Sequence, residues 1–97
     1  MNRAERELAD LESVFAALAH ASRRHILIVL HVRGGSMTAG EIADRFACSW
    51  PTTTRHLRQL EDAGLVTVRA DGRQRRYELN LDRLQSVAGA WLDHFAA

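Results

Sequence analysis

Two sets of residues in this 97-residue sequence could do chemistry by their type and spacing. The first is a run of hydroxyl and guanidinium groups between Ser49 and Tyr77: Thr52, Thr53, Thr54, Arg55 and Arg58, then Arg69, Arg73, Arg75 and Arg76. Arginine binds phosphate and the edge of guanine through paired hydrogen bonds, and threonine contacts base edges or thymine methyls. The second is a scatter of thiol, imidazole and carboxylate groups: Cys48, His20, His25, His31, His56, Asp82, Asp93 and His94.

The second set does not assemble. His25 and His31 are six apart, a spacing that does not align two ligands on a helix. Asp82 and His94 lie three helical turns or more apart and share no ion within one chain. Across two copies they could, but one Asp and one His per chain is a poor set beside the usual three or four zinc ligands. Surface residues on a charged helix end are the preferred reading. Cys48 is the sole cysteine, which rules out an intramolecular disulfide. It precedes a helix cap, where a thiol can be acidified into a redox switch, although a small buried turn cysteine is the commoner case. No nucleophile–base pair and no glycine-rich phosphate loop is present, so neither enzymatic activity nor a cofactor is expected.

Net charge is only +1, yet it is unevenly placed. From Arg55 to Arg76 six arginines face Glu61, Asp62 and Asp71, a local +3; the remaining seven basic and nine acidic groups give −2. Such polarity is the footprint of a polyanion site. All thirteen basic residues are arginine. The charged N-terminus is unlike a signal peptide and no long apolar run follows, so a cytoplasmic chain without a membrane partner is expected. The length suits one domain, 1–97, with a thin core whose exposed apolar faces a second copy could complete.

The elements that position the first set follow from periodicity and caps. Leu8, Leu11, Phe15 and Leu18 recur at helical spacing over Arg3 to Ala19, with Val14 alongside. Ser22 is the expected cap of a second helix from about Arg23 to Val32, closed by Gly34-Gly35. Ser36-Met37 suits a short strand. Thr38 with Glu41 forms a capping box for a third helix that buries Ile42, Ala43 and Phe46. After a turn at Ala47-Cys48, Ser49 caps a fourth helix with Pro51 in its first turn, ending at Ala63-Gly64. Leu65 to Arg69 and Gln74 to Leu79 read as strands around an Asp71-Gly72 turn. Asn80-Leu81-Asp82 offers a cap for a last helix, Arg83 to Phe95, carrying Leu84, Val87, Ala88, Trp91, Leu92 and Phe95 on one stripe.

On the fourth helix Thr53, Leu57 and Leu60 share one side and should face the core. The other side carries Pro51, Thr52, Arg55, Arg58 and Gln59, with Thr54 at its flank, and suits a helix lying in the major groove. Thr52 could instead satisfy helix-end donors, and Arg55 could be a solvated surface residue. His56 lies beside the groove face, where a phosphate contact and a packing role are about equally plausible. The arginines around the turn would repel one another unless a polyanion were near, so the hairpin reads as a wing on phosphate or in the minor groove. Arg73 and Arg75 sit closest to its tip; alternation sends Arg75 and Tyr77 one way and Gln74 and Arg76 the other.

At these residues the sequence resembles the ArsR/SmtB family of bacterial repressors. Leu18-Ala19-His20, Ser22-Arg23 and Ile26-Leu27 resemble its opening motif. Glu41-Ile42-Ala43, Ser49 through Leu57 and Leu60 through Val66 are similar to its recognition region, and Gly72-Arg73 through Tyr77-Glu78-Leu79 to its wing. The resemblance runs from about Val14 to Trp91. It implies a mainly α fold with a small β-hairpin, a dimeric winged helix-turn-helix in the order α1-α2-(β1)-α3-α4-β2-β3-α5. Helices 3–19 and 83–96 would form the homodimer interface, 49–63 the recognition helix and 65–79 the wing.

The expected function is a homodimeric repressor that binds double-stranded DNA at an inverted repeat. The DNA contacts expected are Ser49, Pro51, Thr52, Thr54, Arg55, His56, Arg58, Arg73, Arg75 and Arg76. The dimer contacts expected are Leu8, Leu11, Phe15, Leu84, Val87, Trp91, Leu92 and Phe95. The chain departs from common family patterns at Trp50, where many members have glutamine or a small residue, and at Thr54, where many have serine. Trp50 could alternatively pack against the third helix or the backbone. The family's usual metal ligands are missing: the third helix has no cysteine. Alternatives are a winged-helix module for protein–protein or RNA contact, or a MarR-like regulator; the basic hairpin tip argues for DNA.

Overall fold

Each long helix begins at a residue able to accept the backbone N–H groups that a first turn leaves free. In the computed structural model, which describes residues 1–46 and 49–96, α1 (Arg3–Leu18) is capped by Asn2, whose side chain accepts from Glu5 N at 2.8 Å. The chain then bends by 93° into α2 (Ala21–Val32). The cap there is His20 rather than the expected Ser22: its Nδ1 accepts from Ser22 N at 3.2 Å, and the helix starts two residues early. An imidazole nitrogen does the work usually given to a small oxygen side chain.

At α3 (Ala39–Arg45) the capping box forms as expected. Glu41 N donates to Thr38 Oγ1 at 3.2 Å and Thr38 N donates to Glu41 Oε1 at 3.0 Å. That backbone hydrogen bond from Thr38 is the main reason the Glu41 carboxyl is held below its usual pKa. Ser49 caps α4 (Trp50–Asp62), its Oγ accepting from Thr52 N at 3.3 Å, with Pro51 in the first turn. The expected turn residues Ala47 and Cys48 lie outside the described residues, and with them the redox reading of Cys48.

Helices α2 and α4 end alike. After α4, Gly64 takes φ +75°, Gly64 N donates to Glu61 O at 2.9 Å and Leu65 N to Leu60 O at 3.0 Å. After α2, Gly34 takes φ +92°, with Gly34 N on His31 O at 3.2 Å and Gly35 N on Leu30 O at 2.7 Å. Both are Schellman closures, which need a left-handed residue that glycine supplies without strain.

Three antiparallel strands follow the order β1-β3-β2, with β1 Ser36–Thr38, β2 Val66–Asp71 and β3 Gln74–Leu79. Met37 pairs with Tyr77, and Tyr77 with Val68. Period-2 alternation puts Met37, Val66 and Tyr77 on the buried face and Thr67, Arg69 and Arg76 on the other. The hairpin closes at Asp71–Gln74, so its two central residues are Gly72 and Arg73, one step later than the Asp71-Gly72 expectation. Gly72 has φ +64°, and among the described residues, Arg73 included, no non-glycine residue has positive φ. A type I′ turn, which requires it at both central residues, is therefore absent.

The C-terminal helix is interrupted. Asn80 caps α5 (Leu81–Leu84), a π-helical turn runs over Gln85–Gly89, and α6 (Ala90–Asp93) finishes it. The wider turn shifts the winding, so the single stripe expected from Leu84 to Phe95 is split. Ala88 is buried, Leu84 and Val87 are half-buried, and Trp91, Leu92 and Phe95 are exposed.

One apolar core joins α1 (Val14, Ala17), α2 (Ile26, Leu27, Leu30), Ile42 of α3, Leu57 and Leu60 of α4, and Met37, Val66 and Tyr77 of the sheet. Among the described residues no single helix is long and apolar enough to cross a membrane.

Candidate nucleic-acid interface

Helix α4 is sharply two-sided. Thr53, His56, Leu57 and Leu60 are buried; Trp50, Pro51, Thr54, Arg55, Arg58 and Gln59 are exposed. Of the expected DNA contacts on this helix, Pro51, Thr54, Arg55 and Arg58 thus share one accessible side. Ser49 is exposed but engaged: its Oγ donates to Thr52 Oγ1 at 3.0 Å, and Thr52 is half-buried. The helix-end role weighed for Thr52 is the one its geometry displays.

His56 is not on the groove side. It is 8% exposed. Its ring lies 4.4 Å from that of His20, and its Nδ1 stands 3.4 Å from Arg23 Nη1. A guanidinium only donates, so Nδ1 is the acceptor in this contact. Burial lowers its pKa most, followed by His20, Arg23 and Arg55. Packing, not a phosphate contact, is its role. The signal was present in the sequence: 56 stands three after Thr53 and four before Leu60, inside the buried stripe.

On the wing the arginines divide by partner. Arg69 pairs with Glu78, which is the main cause of its raised pKa. Arg76 donates Nε to Asp71 Oδ2 at 2.9 Å and Nη1 to Ser36 Oγ at 3.1 Å, bracing β3 against β1 and the turn. It is half-buried, and these two bonds give it a structural role within the wing. Arg73 and Arg75 are exposed and make no hydrogen bond or ion pair among the described residues. Together with Gln74, Trp50, Ala39 and Gly40 they line a cleft of about 350 Å³. Trp50 is 55% exposed and shares that lining with the first two residues of α3.

The surface formed by α1 and the C-terminal helix is of another kind. Leu8, Trp91, Leu92 and Phe95 are exposed there, while Leu11, Phe15, Leu84 and Val87 are half-buried. Trp91 stands edge-on to Phe15 at 5.3 Å and to Phe95 at 4.9 Å. A groove of about 750 Å³ runs between the two helices, past Leu8, Leu11, Val87 and Trp91. Asp82 is exposed at the helix start, and His94 Nδ1 lies 3.1 Å from Trp91 O at the other end. Among the described residues no three His, Cys, Asp or Glu side chains come together as a metal set.

Sequence reasoning missed Arg83. Its Nε donates to Ala63 O at 2.8 Å, the carbonyl that ends α4, and its Nη2 reaches Asp10 Oδ1 on α1 at 3.3 Å. It therefore ties the recognition helix to both terminal helices. A helix-starting arginine carries no signal of this in a single sequence.

A two-sided helix followed by a basic hairpin, on a three-helix core, defines a winged helix-turn-helix DNA-binding transcriptional regulator. Residues 18–69 match the model of a helix-turn-helix domain family. The chain is 36% identical over 85 residues to the transcriptional repressor SdpR of Bacillus subtilis, covering 88% of this chain and 91% of that one. It is similar to an ArsR-like transcriptional regulator from Rhodococcus sp. RHA1, with TM-score 0.77 and 33% identity over 92% of this chain and 82% of the other. It is also similar to the homodimeric winged helix-turn-helix DNA-binding domain of a possible ArsR-family regulator from Mycobacterium bovis. That likeness has TM-score 0.77 and 25% identity over 97% and 86% of the two chains. The chain belongs to the ArsR family of winged helix-turn-helix transcriptional regulators.

Proposed function

We propose that two copies of this chain join through α1 and the C-terminal helix and repress transcription by occupying an inverted-repeat operator, in the cytoplasm. The exposed side of each α4 enters the major groove with Thr54, Arg55 and Arg58 toward the bases, and each wing lies along the backbone. A two-fold dimer sets the two α4 helices about one DNA turn, ~34 Å, apart. The chain acts by binding and not by catalysis.

One observation carries this reading. Arg73 and Arg75 stand exposed and, among the described residues, without partners, in a cleft shared with Trp50 at the start of α4, while the neighbouring Arg69 and Arg76 are paired with Glu78 and Asp71. Two unneutralised cations next to a Thr/Arg helix face fit a polyanion whose edges can be read. The exposed Leu8, Trp91, Leu92 and Phe95 support self-association, since solvent-facing apolar groups clustered on one surface mark an interface. The homodimer described for the Mycobacterium bovis domain agrees with it.

A gel-shift titration against DNA upstream of the chain's own coding sequence, repeated over a salt series, tests the function. Arg55→Ala should lose sequence preference and about 1–3 kcal/mol of affinity, while Arg73→Ala should weaken all sequences alike and reduce the salt slope by about one. No specific binding at any salt would refute repression by operator occupancy; identical behaviour of the two variants would refute the division between reading helix and gripping wing.

A further inference from the structure

From the position of Trp50 we infer a specific role for it: it is the apolar contact that seats one DNA strand in the cleft between the wing and the recognition helix. This rests on the DNA-binding reading above and adds a residue-level claim to it.

Trp50 is the first residue of α4, and its indole is 55% exposed. It is not part of the apolar surface assigned to the dimer. The exposed Leu8, Trp91, Leu92 and Phe95 lie on the terminal helices, and Ile28 and Val32 on α2. No aromatic ring pairs with Trp50 among the described residues, whereas Trp91 meets two. It shares the lining of a cleft with Arg73, Gln74 and Arg75. The remaining lining is small, Ala39 and Gly40, and a Cβ built on Gly40 would meet only Thr38 Oγ1, at 3.9 Å. The cleft is therefore roomy, about 350 Å³, and its lining holds both cations and a flat apolar ring.

These two kinds of lining group ask for different things from one occupant. The arginines require anionic groups. The indole, left in water in the free protein, requires an apolar surface to cover it. A nucleic-acid strand offers both at the right grain: phosphates alternate with deoxyribose rings and bases carrying faces and methyls. With the phosphates on Arg73 and Arg75, a sugar or a thymine methyl is left for the ring. An apolar contact of this kind releases no counterions. Its contribution to affinity is thus independent of salt, unlike that of the arginines flanking it.

That difference supplies the test. The probe is a duplex enriched from a randomised library by the wild-type chain, end-labelled and titrated by fluorescence anisotropy at several salt concentrations. Trp50→Ala should weaken binding by roughly tenfold, as loss of an aromatic contact to a nucleotide does, with the salt slope unchanged. Trp50→Phe should keep most of the affinity, and the DNA-induced quenching of tryptophan emission expected in the wild type should be absent from it. Thermal melting of Trp50→Phe checks that the fold is intact, and the quenching comparison needs no other variant.

Three results overturn the inference: Trp50→Ala binding within about twofold of wild type, quenching in Trp50→Phe equal to that of wild type, or a Trp50→Ala salt slope that falls as it does for Arg73→Ala. The last would make the indole a prop for the arginines instead of a contact. If the wild-type chain enriches no duplex, the DNA-binding reading fails and the role of Trp50 falls with it. If the wild type binds and Trp50→Ala binds equally well, only the role of Trp50 fails.

Discussion

Substituting alanine at Gly64 should cost far more than the same change at Gly34, although both residues close a helix in the same way. Each is the left-handed residue of a Schellman motif, at φ +75° and +92°. Alanine in that conformation costs about 1–2 kcal/mol at either site. At Gly34 nothing lies within 4 Å of the added Cβ, so the conformational term stands alone. At Gly64 the Cβ would lie 2.7 Å from Arg83 Nε and 2.9 Å from its Cδ, closer than packed atoms come. Arg83 must swing out, and it then releases Ala63 O and Asp10. Loss of a charged hydrogen bond to a part-buried carbonyl costs about 1.5–3 kcal/mol. The half-exposed Asp10 pair adds at most about 1 kcal/mol. Gly64→Ala should therefore lose about 2.5–6 kcal/mol against about 1–2 for Gly34→Ala, in urea unfolding at one fixed chain concentration. In Gly64→Ala combined with Arg83→Ala the clash is gone, so the double variant should fall short of the sum of the singles by about 1.5–3 kcal/mol. Equal costs at the two glycines, within about 0.5 kcal/mol, would refute the coupling of the α4 closure to Arg83.

Two further outcomes are expected. His56 is depressed below its unfolded pKa, so the unfolded chain takes up the proton first; stability is fully present above about pH 6.5 and declines as pH falls below that value toward the folded pKa. His56→Gln should remove that part of the decline in urea midpoints measured from pH 7.5 to 5, and an unchanged profile would sink the assignment. Leu8→Glu puts a charge on an exposed apolar position of α1, so the chain should stay folded by circular dichroism while light scattering reports the mass of one chain instead of two. A Leu8→Glu variant that is still dimeric would move the interface elsewhere.

How far the sequence carries depends on whether a feature is local. The Thr38–Glu41 capping box, the Ser49 cap with Pro51 behind it and the two glycine closures are set within a few residues, and each forms where its pattern stands. The exposed side of α4 was legible because Thr53, Leu57 and Leu60 mark its opposite. Where tertiary partners decide, the pattern falls short. Alternation and distance from the tip set Arg73 and Arg75 apart in the sequence, but the partners of Arg69 and Arg76 come from cross-strand register, which places Glu78 and Asp71 within their reach. The split of the C-terminal stripe comes from a π-helical turn that a 3.6-residue period cannot announce. Ser22 lost the cap to His20 because the preceding bend brings the imidazole over the first turn.

The same long-range arginines bear on how a signal would reach DNA. Helix α4 is fastened to α1 at two places. Near its middle, His56 faces Arg23, which also donates to Ala17 O at 2.7 Å and Ala16 O at 3.2 Å, the last turn of α1. At its end, Arg83 joins Ala63 O to Asp10 of α1. Two fastenings fix both position and tilt, where one would leave a pivot. In the proposed dimer α1 belongs to the interface, so any shift between the two copies carries each α4 with it rather than being absorbed by slack. Half-sites one DNA turn apart tolerate little change in that spacing. In the proposed dimer, a change that widened the groove between α1 and the C-terminal helix, which Arg83 lines, would therefore shift both α4 helices without touching their exposed sides.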